Sequence, residues 1–215
     1  MQNPSDYFLV DIIFQGGILM WPIMLCSVVG LAITVERFFA LRRADIDTRE
    51  FMDIMRQVLR QNRIREAIEI CDETEAPVAR IMKAGVLKHD RSKDDIREAI
   101  EDAGRFEIPR LERYLPALAT CANIAPLLGL LGTVSGMIKA FAQIQNLRGQ
   151  VNPSDLAEGI SNALVTTAAG LTVAIPMLVV YNYFVTRVDS MVIEMELSSS
   201  ELIELLTRHH GEREI

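Results

Sequence analysis

Charge is missing from three long stretches of this chain. No Asp, Glu, Lys, Arg or His lies within residues 12–35, 114–138 or 159–186, windows of 24, 25 and 28 residues. A helix of roughly 20 predominantly apolar residues spans a hydrocarbon core, so each window is long enough, and together they exclude a water-soluble enzyme of the usual kind. Positive charge is not in surplus either. The chain carries 22 Lys and Arg against 29 Asp and Glu, a net −7, which leaves nothing spare to neutralise phosphates and excludes a nucleic-acid binder. Cysteine is scarce: Cys26, Cys71 and Cys121 show no CxxC spacing and read as small apolar packing residues, so no disulfide is expected. Enzyme signatures are absent too, with no GxxxxGK[ST] phosphate loop, no HExxH and no intramembrane Ser-His or Asp pair. His89 sits among surface charges and His209-His210 in a charged tail. No catalytic residue, cofactor or metal site is expected.

What is present sets an orientation. Before the first window there is no Lys or Arg, only Asp6 and Asp11. A signal peptide would need a basic n-region and a shorter apolar core, so the window reads as an uncleaved span. Of the 22 Lys and Arg, 17 fall between Arg37 and Arg113, starting with Arg37, Arg42-Arg43 and Arg49, whereas the loop between the second and third windows holds only Lys139 and Arg148. Basic residues near span ends stay on the cytoplasmic side. The predicted order is a periplasmic N-terminus (1–11), span 1 (12–35), a cytoplasmic helical domain (36–113), span 2 (114–138), a short periplasmic loop with its flanks (139–158), span 3 (159–186) and a cytoplasmic C-terminal helix (187–215). In a bacterium this is a multi-pass inner-membrane protein.

The cytoplasmic stretch has helical periodicity. Phe51, Met52, Met55, Val58 and Leu59 repeat at three and four residues, and Ile64, Ala67, Ile68 and Cys71 do the same before a break near Pro77. Ser92 to Asp95 looks like a cap, and the helix after it uses Ile96, Ile100, Ala103 and Phe106. Pro109 and Pro116 are expected to kink this helix on its way into span 2. Beyond Thr186, Val188, Met191, Val192, Met195, Leu202 and Leu206 keep one apolar stripe among acids, so span 3 is expected to continue as an amphipathic helix. With no strand pattern, the fold class is an all-α integral membrane protein: three transmembrane helices with long cytoplasmic helical extensions.

Spans 2 and 3 are built differently from span 1. Gly129, Gly132 and Gly136 give span 2 a small face, and Ala163, Thr167, Gly170 and Ala174 fall on one face of span 3. Lipid gives helices no hydrophobic reason to associate, so small residues that let backbones approach closely do that work. These positions read first as a packing seam. The two helices also carry Thr133, Ser135, Ser161, Asn162, Thr166, Thr167 and Thr172, whereas the hydroxyls of span 1 are only Ser27 and Thr34. Hydroxyls can bond back to their own helix, but their number suggests a polar seam able to line a water-accessible path. A proton or ion carrier keeps an ionisable group near midplane, and these windows have none. If protons move here, another chain supplies the titrating group.

At spans 2 and 3 the sequence resembles the MotA/TolQ/ExbB proton-channel family. The resemblance is carried by Ala125-Pro126-Leu127-Leu128-Gly129-Leu130-Leu131-Gly132-Thr133-Val134 and by Gly159-Ile160, Ala163-Leu164, Thr167-Ala168, Gly170-Leu171, Ala174-Ile175-Pro176 and Tyr181-Asn182. It is sharp over about residues 114–187 and looks nearer the ExbB and TolQ branches. It implies an inner-membrane stator subunit of a proton-motive-force-driven motor. The stator would be a homopentamer whose second and third spans ring a pore holding an ExbD/TolR-like single-span partner with a membrane Asp. A periplasm-spanning TonB/TolA-like protein and membrane lipid are further implied partners. By motif position, Thr133 and Thr167 would face the partner's Asp, with Thr166 a neighbour, and Pro126 and Pro176 would shape the helices. Many ExbB and TolQ members carry a Glu where this chain has Asn162, so here the pore-lining position bears an amide that cannot titrate. Two other readings stand beside this one: an ion channel formed by the ring alone, and a non-conducting membrane scaffold.

Overall fold

The computed structural model describes residues 17–146 and 153–211. The N-terminal segment 1–11, the start of the first window, loop residues 147–152 and residues 212–215 lie outside the described residues. After a short 3-10 turn at Gly17–Leu19, seven α-helices follow: α1 (Met20–Ala44), α2 (Thr48–Arg60), α3 (Ile64–Glu73), α4 (Pro77–Val86), α5 (Lys93–Leu111), α6 (Leu115–Asn146) and α7 (Pro153–Gly211). Among the described residues there is no strand. Three helical runs are long and apolar enough to cross a membrane, Gly17–Arg60, Lys93–Ala142 and Gly159–Thr207, as expected of an all-α membrane protein.

The chain divides into two compact units, one of residues 1–35 and 114–183, the other of residues 36–113 and 184–215. In the first unit, only 17–28% of the most apolar window of each spanning run is buried within the chain. Trp21, Leu25, Leu127, Leu164, Ile175 and Val179 lie outward and exposed. In water such a surface would be a large unpartnered patch; in lipid it is the ordinary outside of a span. α1 meets α7 closely enough that a methyl built on Gly30 would lie 2.2 Å from the Met177 Cε.

The second unit has a conventional core. α2 starts where the Asp47 carboxylate accepts from the Arg49 and Glu50 N–H groups at 3.0 and 3.1 Å. It buries Phe51, Met52, Met55, Val58 and Leu59, the residues that repeat at helical spacing, and ends where Asn62 takes φ +57°. Pro77 opens α4 at its first turn, where the missing proline N–H is no loss. α5 begins with a reciprocal capping box, Ser92 with Asp95. The helices α2 to α5 pack in succession, each on the next. The α7 residues Val188, Met191, Met195, Leu202 and Leu206 close the core.

Two expectations need correction. Phe106 is 75% exposed, whereas Glu107 is buried. The stripe of Ile96, Ile100 and Ala103 continues at a four-residue step into that carboxylate, which two arginines neutralise. The passage from α5 into span 2 is a break rather than a kink: α5 stops at Leu111, Tyr114 adopts φ +65°, and α6 starts afresh at Leu115. Pro116 therefore lies in a first turn, where proline is tolerated.

Candidate functional site

The small residues of spans 2 and 3 meet along one line between α6 and α7. A methyl on Gly129 would lie 3.0 Å from the Thr167 Cα, one on Gly132 2.5 Å from the Thr166 Cγ2, one on Gly136 2.7 Å from the Ala163 Cβ, and one on Gly170 2.6 Å from the Ala125 carbonyl oxygen. No side chain fits at these crossings, so the two backbones approach as closely as small residues permit. Ala163 and Ala174 are both buried. Pro126 and Pro176 lie inside α6 and α7, which continue through them. Each lacks the N–H that would bond the carbonyl four residues back.

The hydroxyls divide by what they bond. Thr133 donates to the Leu130 carbonyl at 2.7 Å, Thr166 to Asn162 at 3.0 Å and Thr172 to Ala168 at 2.8 Å, each within its own helix. Thr167 instead donates across the seam to the Gly129 carbonyl of α6 at 2.8 Å. Gly129 lies one turn before Thr133, so this bond sets Thr167 beside Thr133 on the neighbouring helix. Both threonines are half-buried, and a hydroxyl that donates once still has lone pairs that accept. Thr166 is placed differently. It is 2% exposed and wedged against Gly132, so in the single chain it fills the seam. Asn162 is half-buried and, with Gly132, Gly136 and Thr166 of the seam, lines a cavity toward the end of α6 where Lys139 lies.

The second unit holds polar groups that sequence reading passed over. Arg37 is only 4% exposed. Its guanidinium donates to the Glu36 carboxylate at 2.6 Å and reaches the Arg110 and Leu111 carbonyls at 3.2 and 3.3 Å. It thereby satisfies the carbonyls that the end of α5 leaves open. Glu107 accepts from Arg80 at 2.6 Å and from Arg110 at 3.1 Å. The signal for Glu107 was available, since a carboxylate on the apolar stripe of a helix demands a partner. Arg37 had no such signal, because apart from its neighbour Glu36 it bonds main-chain atoms more than 70 residues away. Cys71 is buried, and burial, with Asp72 nearby, pushes its thiol up to about 12. Among the described residues no group of His, Cys, Asp and Glu could hold a metal ion.

Residues 73–197 match the family model described as the MotA/TolQ/ExbB proton channel family. A biopolymer transport protein ExbB homolog of Methanothermobacter thermautotrophicus is 28% identical over 90% of this chain and 67% of its own length. The biopolymer transport protein exbB1 of Vibrio cholerae is 30% identical over 75% of this chain and 72% of its own. The Tol-Pal system protein TolQ of Haemophilus influenzae is 31% identical over 76% of each chain. The matched family is one of proton channels, and the three apolar helical runs of this chain are long enough to cross a membrane.

Proposed function

Because this chain belongs to the MotA/TolQ/ExbB proton channel family, we propose that it is the stator subunit of an inner-membrane motor driven by the proton-motive force. In this reading the N-terminus is periplasmic and the C-terminus cytoplasmic. A ring of copies, five by family resemblance, encloses an ExbD/TolR-like single-span partner whose membrane Asp carries the proton. The ring passes the resulting work through a TonB/TolA-like protein to the periplasm and outer membrane, for transport or envelope integrity.

One observation carries this reading: the α6–α7 seam presents hydroxyls and no acid. Thr167 is fixed by its 2.8 Å bond to the Gly129 carbonyl, and Thr133 by its bond to Leu130. Both keep acceptor lone pairs for a protonated carboxyl brought by another chain. An intramembrane path needs an ionisable group of the acid, base or His kind, and residues 114–138 and 159–186 contain no Asp, Glu, Lys, Arg or His. The composition therefore supports two chains working together rather than a ring conducting alone.

Thr167→Val tests this. Valine keeps the shape and removes the hydroxyl, and an interhelical hydrogen bond in a membrane is worth only about 0.6 kcal/mol. Assembly with the partner is expected to survive while gradient-driven work falls to background, and Thr167→Ser is expected to restore it. Full activity in Thr167→Val would refute the role given to this hydroxyl.

A further inference from the structure

One face of α1 is left uncovered from the span to the end of the helix. Met24, Val28, Leu31, Val35 and Phe38 follow one another at alternating steps of four and three, and all are exposed. The next step of four reaches Arg42, which is exposed too. At about 100° per residue such positions stay on one side of a helix. Trp21 begins the same face one turn earlier. Phe39 lies beside Phe38 and is 66% exposed, and the two rings meet edge-on with centroids 5.8 Å apart.

Depth along the helix sorts these residues by chemistry. The charge-free run ends at Val35. At 1.5 Å per residue the two phenylalanines lie about 5–6 Å further on and Arg42 about 10 Å further on. The interfacial layer on each side of a hydrocarbon core is about 5–8 Å thick. The rings therefore sit where hydrocarbon gives way to headgroups, and the guanidinium sits among the phosphates. Its charge is also uncompensated. Glu36 is paired with Arg37 at 2.6 Å, Glu75 with Arg43 and Asp45 with Arg187, so each of these acids has its own arginine. Among the described residues nothing pairs with Arg42.

We propose that this end of α1 is a binding site for an anionic lipid, with Phe38 and Phe39 packed against its acyl chains near the glycerol and Arg42 donating to its phosphate. A guanidinium presents a planar fork of N–H donors that matches phosphate oxygens. A zwitterionic headgroup has a phosphate as well, but it brings a cation of its own that Arg42 repels. Lipid fits this face better than a docked protein does, because the face is apolar without interruption down to Phe38 and turns cationic only where headgroups begin. A protein would have to supply a carboxylate at a depth where the bilayer already offers negative charge. The site rests on the chain's crossing a membrane and on no part of the motor; in the proposed orientation the lipid belongs to the cytoplasmic leaflet.

The test is tryptophan quenching by brominated lipid. The full chain is reconstituted in liposomes of equal phosphatidylcholine and phosphatidylglycerol, with one lipid or the other brominated near the glycerol end of its acyl chains. Bromine quenches an indole it touches, so the two quenching curves give the relative affinity of the lipids at one position. Trp21 is the chain's sole tryptophan and reports the far end of the face. Phe39→Trp in a Trp21→Phe background reports the site. One arginine at an anionic surface is worth about fivefold in binding. Phe39→Trp is therefore expected to prefer phosphatidylglycerol about fivefold, while Trp21 in the unaltered chain prefers neither lipid. Adding Arg42→Gln is expected to bring Phe39→Trp to parity, and Arg42→Lys, which keeps the charge, to retain most of the preference. Equal quenching by the two lipids in Phe39→Trp, or a preference that survives Arg42→Gln, would overturn the site. So would quenching at Trp21 with none in Phe39→Trp, because protein would then cover the end of α1. None of these substitutions touches the α6–α7 seam, so such a failure leaves the stator reading to its own test, and full activity of Thr167→Val would leave the lipid site standing.

Discussion

Gly170→Ala perturbs the α6–α7 crossing where it has least room to yield. The added methyl carbon would lie 2.6 Å from the Ala125 carbonyl oxygen and 3.2 Å from the Gly129 Cα. Both are main-chain atoms that cannot rotate aside. A relaxed carbon-to-carbonyl contact is about 3.3 Å, so the helices must part by roughly 0.7 Å. That shift would take the 2.8 Å bond from Thr167 to Gly129 to about 3.5 Å, past the useful range. Overpacking costs about 1–3 kcal/mol and the lost interhelical bond about 0.6 kcal/mol. The sum, about 1.6–3.6 kcal/mol, is roughly a 15- to 400-fold change in the unfolding constant. Gly30→Ala is the control, because its methyl meets only the end of the Met177 side chain, Cε and Sδ at 2.2 and 2.7 Å. A flexible thioether can turn away, which keeps the cost below about 1 kcal/mol. SDS titration of the purified chain in mild detergent, followed by circular dichroism, separates the two variants. If Gly170→Ala unfolds at the same SDS fraction as Gly30→Ala, the close-approach account of the seam is wrong.

Other outcomes follow from the second unit. Arg37→Met removes the donor that closes the α5 carbonyls, and a loss of about 1.5–3 kcal/mol is expected for hydrogen bonds from a charged group; hydrogen exchange over residues 105–113 should quicken, whereas unchanged protection there would contradict the capping role. Glu107→Gln keeps an acceptor between Arg80 and Arg110, whose side chains are 44% and 70% exposed, so about 1 kcal/mol is expected in denaturant titration, and a loss comparable to Arg37→Met would show that the buried charge matters more than its solvated partners suggest. With its pKa pushed from 9.0 up to about 12, the Cys71 thiol stays protonated in the folded chain at pH 8–9 and resists iodoacetamide until the second unit unfolds. The sign also fixes a stability trend, because the contribution from Cys71 is complete below pH 9 and declines as pH rises toward 12. Rapid native labelling of Cys71 at pH 8 would contradict its burial.

Periodicity and charge distribution made the helices and the spans legible, because a 3.6-residue apolar repeat and a charge-free run each have one dominant physical cause. The core of α2 and the capping box at Ser92 are as the pattern predicts. Phe106 misled because the α5 stripe steps from Ala103 to either 106 or 107, and large apolar residues are the natural choice. The exposed ring and the buried Glu107 reverse that choice, since Arg80 and Arg110 make the carboxylate's burial affordable. The break at Tyr114 was hidden because no glycine marks its left-handed backbone. At the seam, glycine and threonine spacing named the residues but not their bonds. That Thr166 fills space while Thr167 bridges helices depends on a rotation of about 100° per residue, which spacing alone does not orient. The cavity beside Lys139 and Asn162 depends on three segments far apart in the chain and left no trace in any local pattern.

The central claim is that this chain is one half of a two-component motor. Native mass spectrometry of the complex, drawn from its own membranes in mild detergent with its genomic neighbours expressed, tests it most directly. A ring of about five copies carrying two copies of a small single-span protein with a membrane Asp is the predicted result. A ring that never carries such a chain under those conditions would contradict the account.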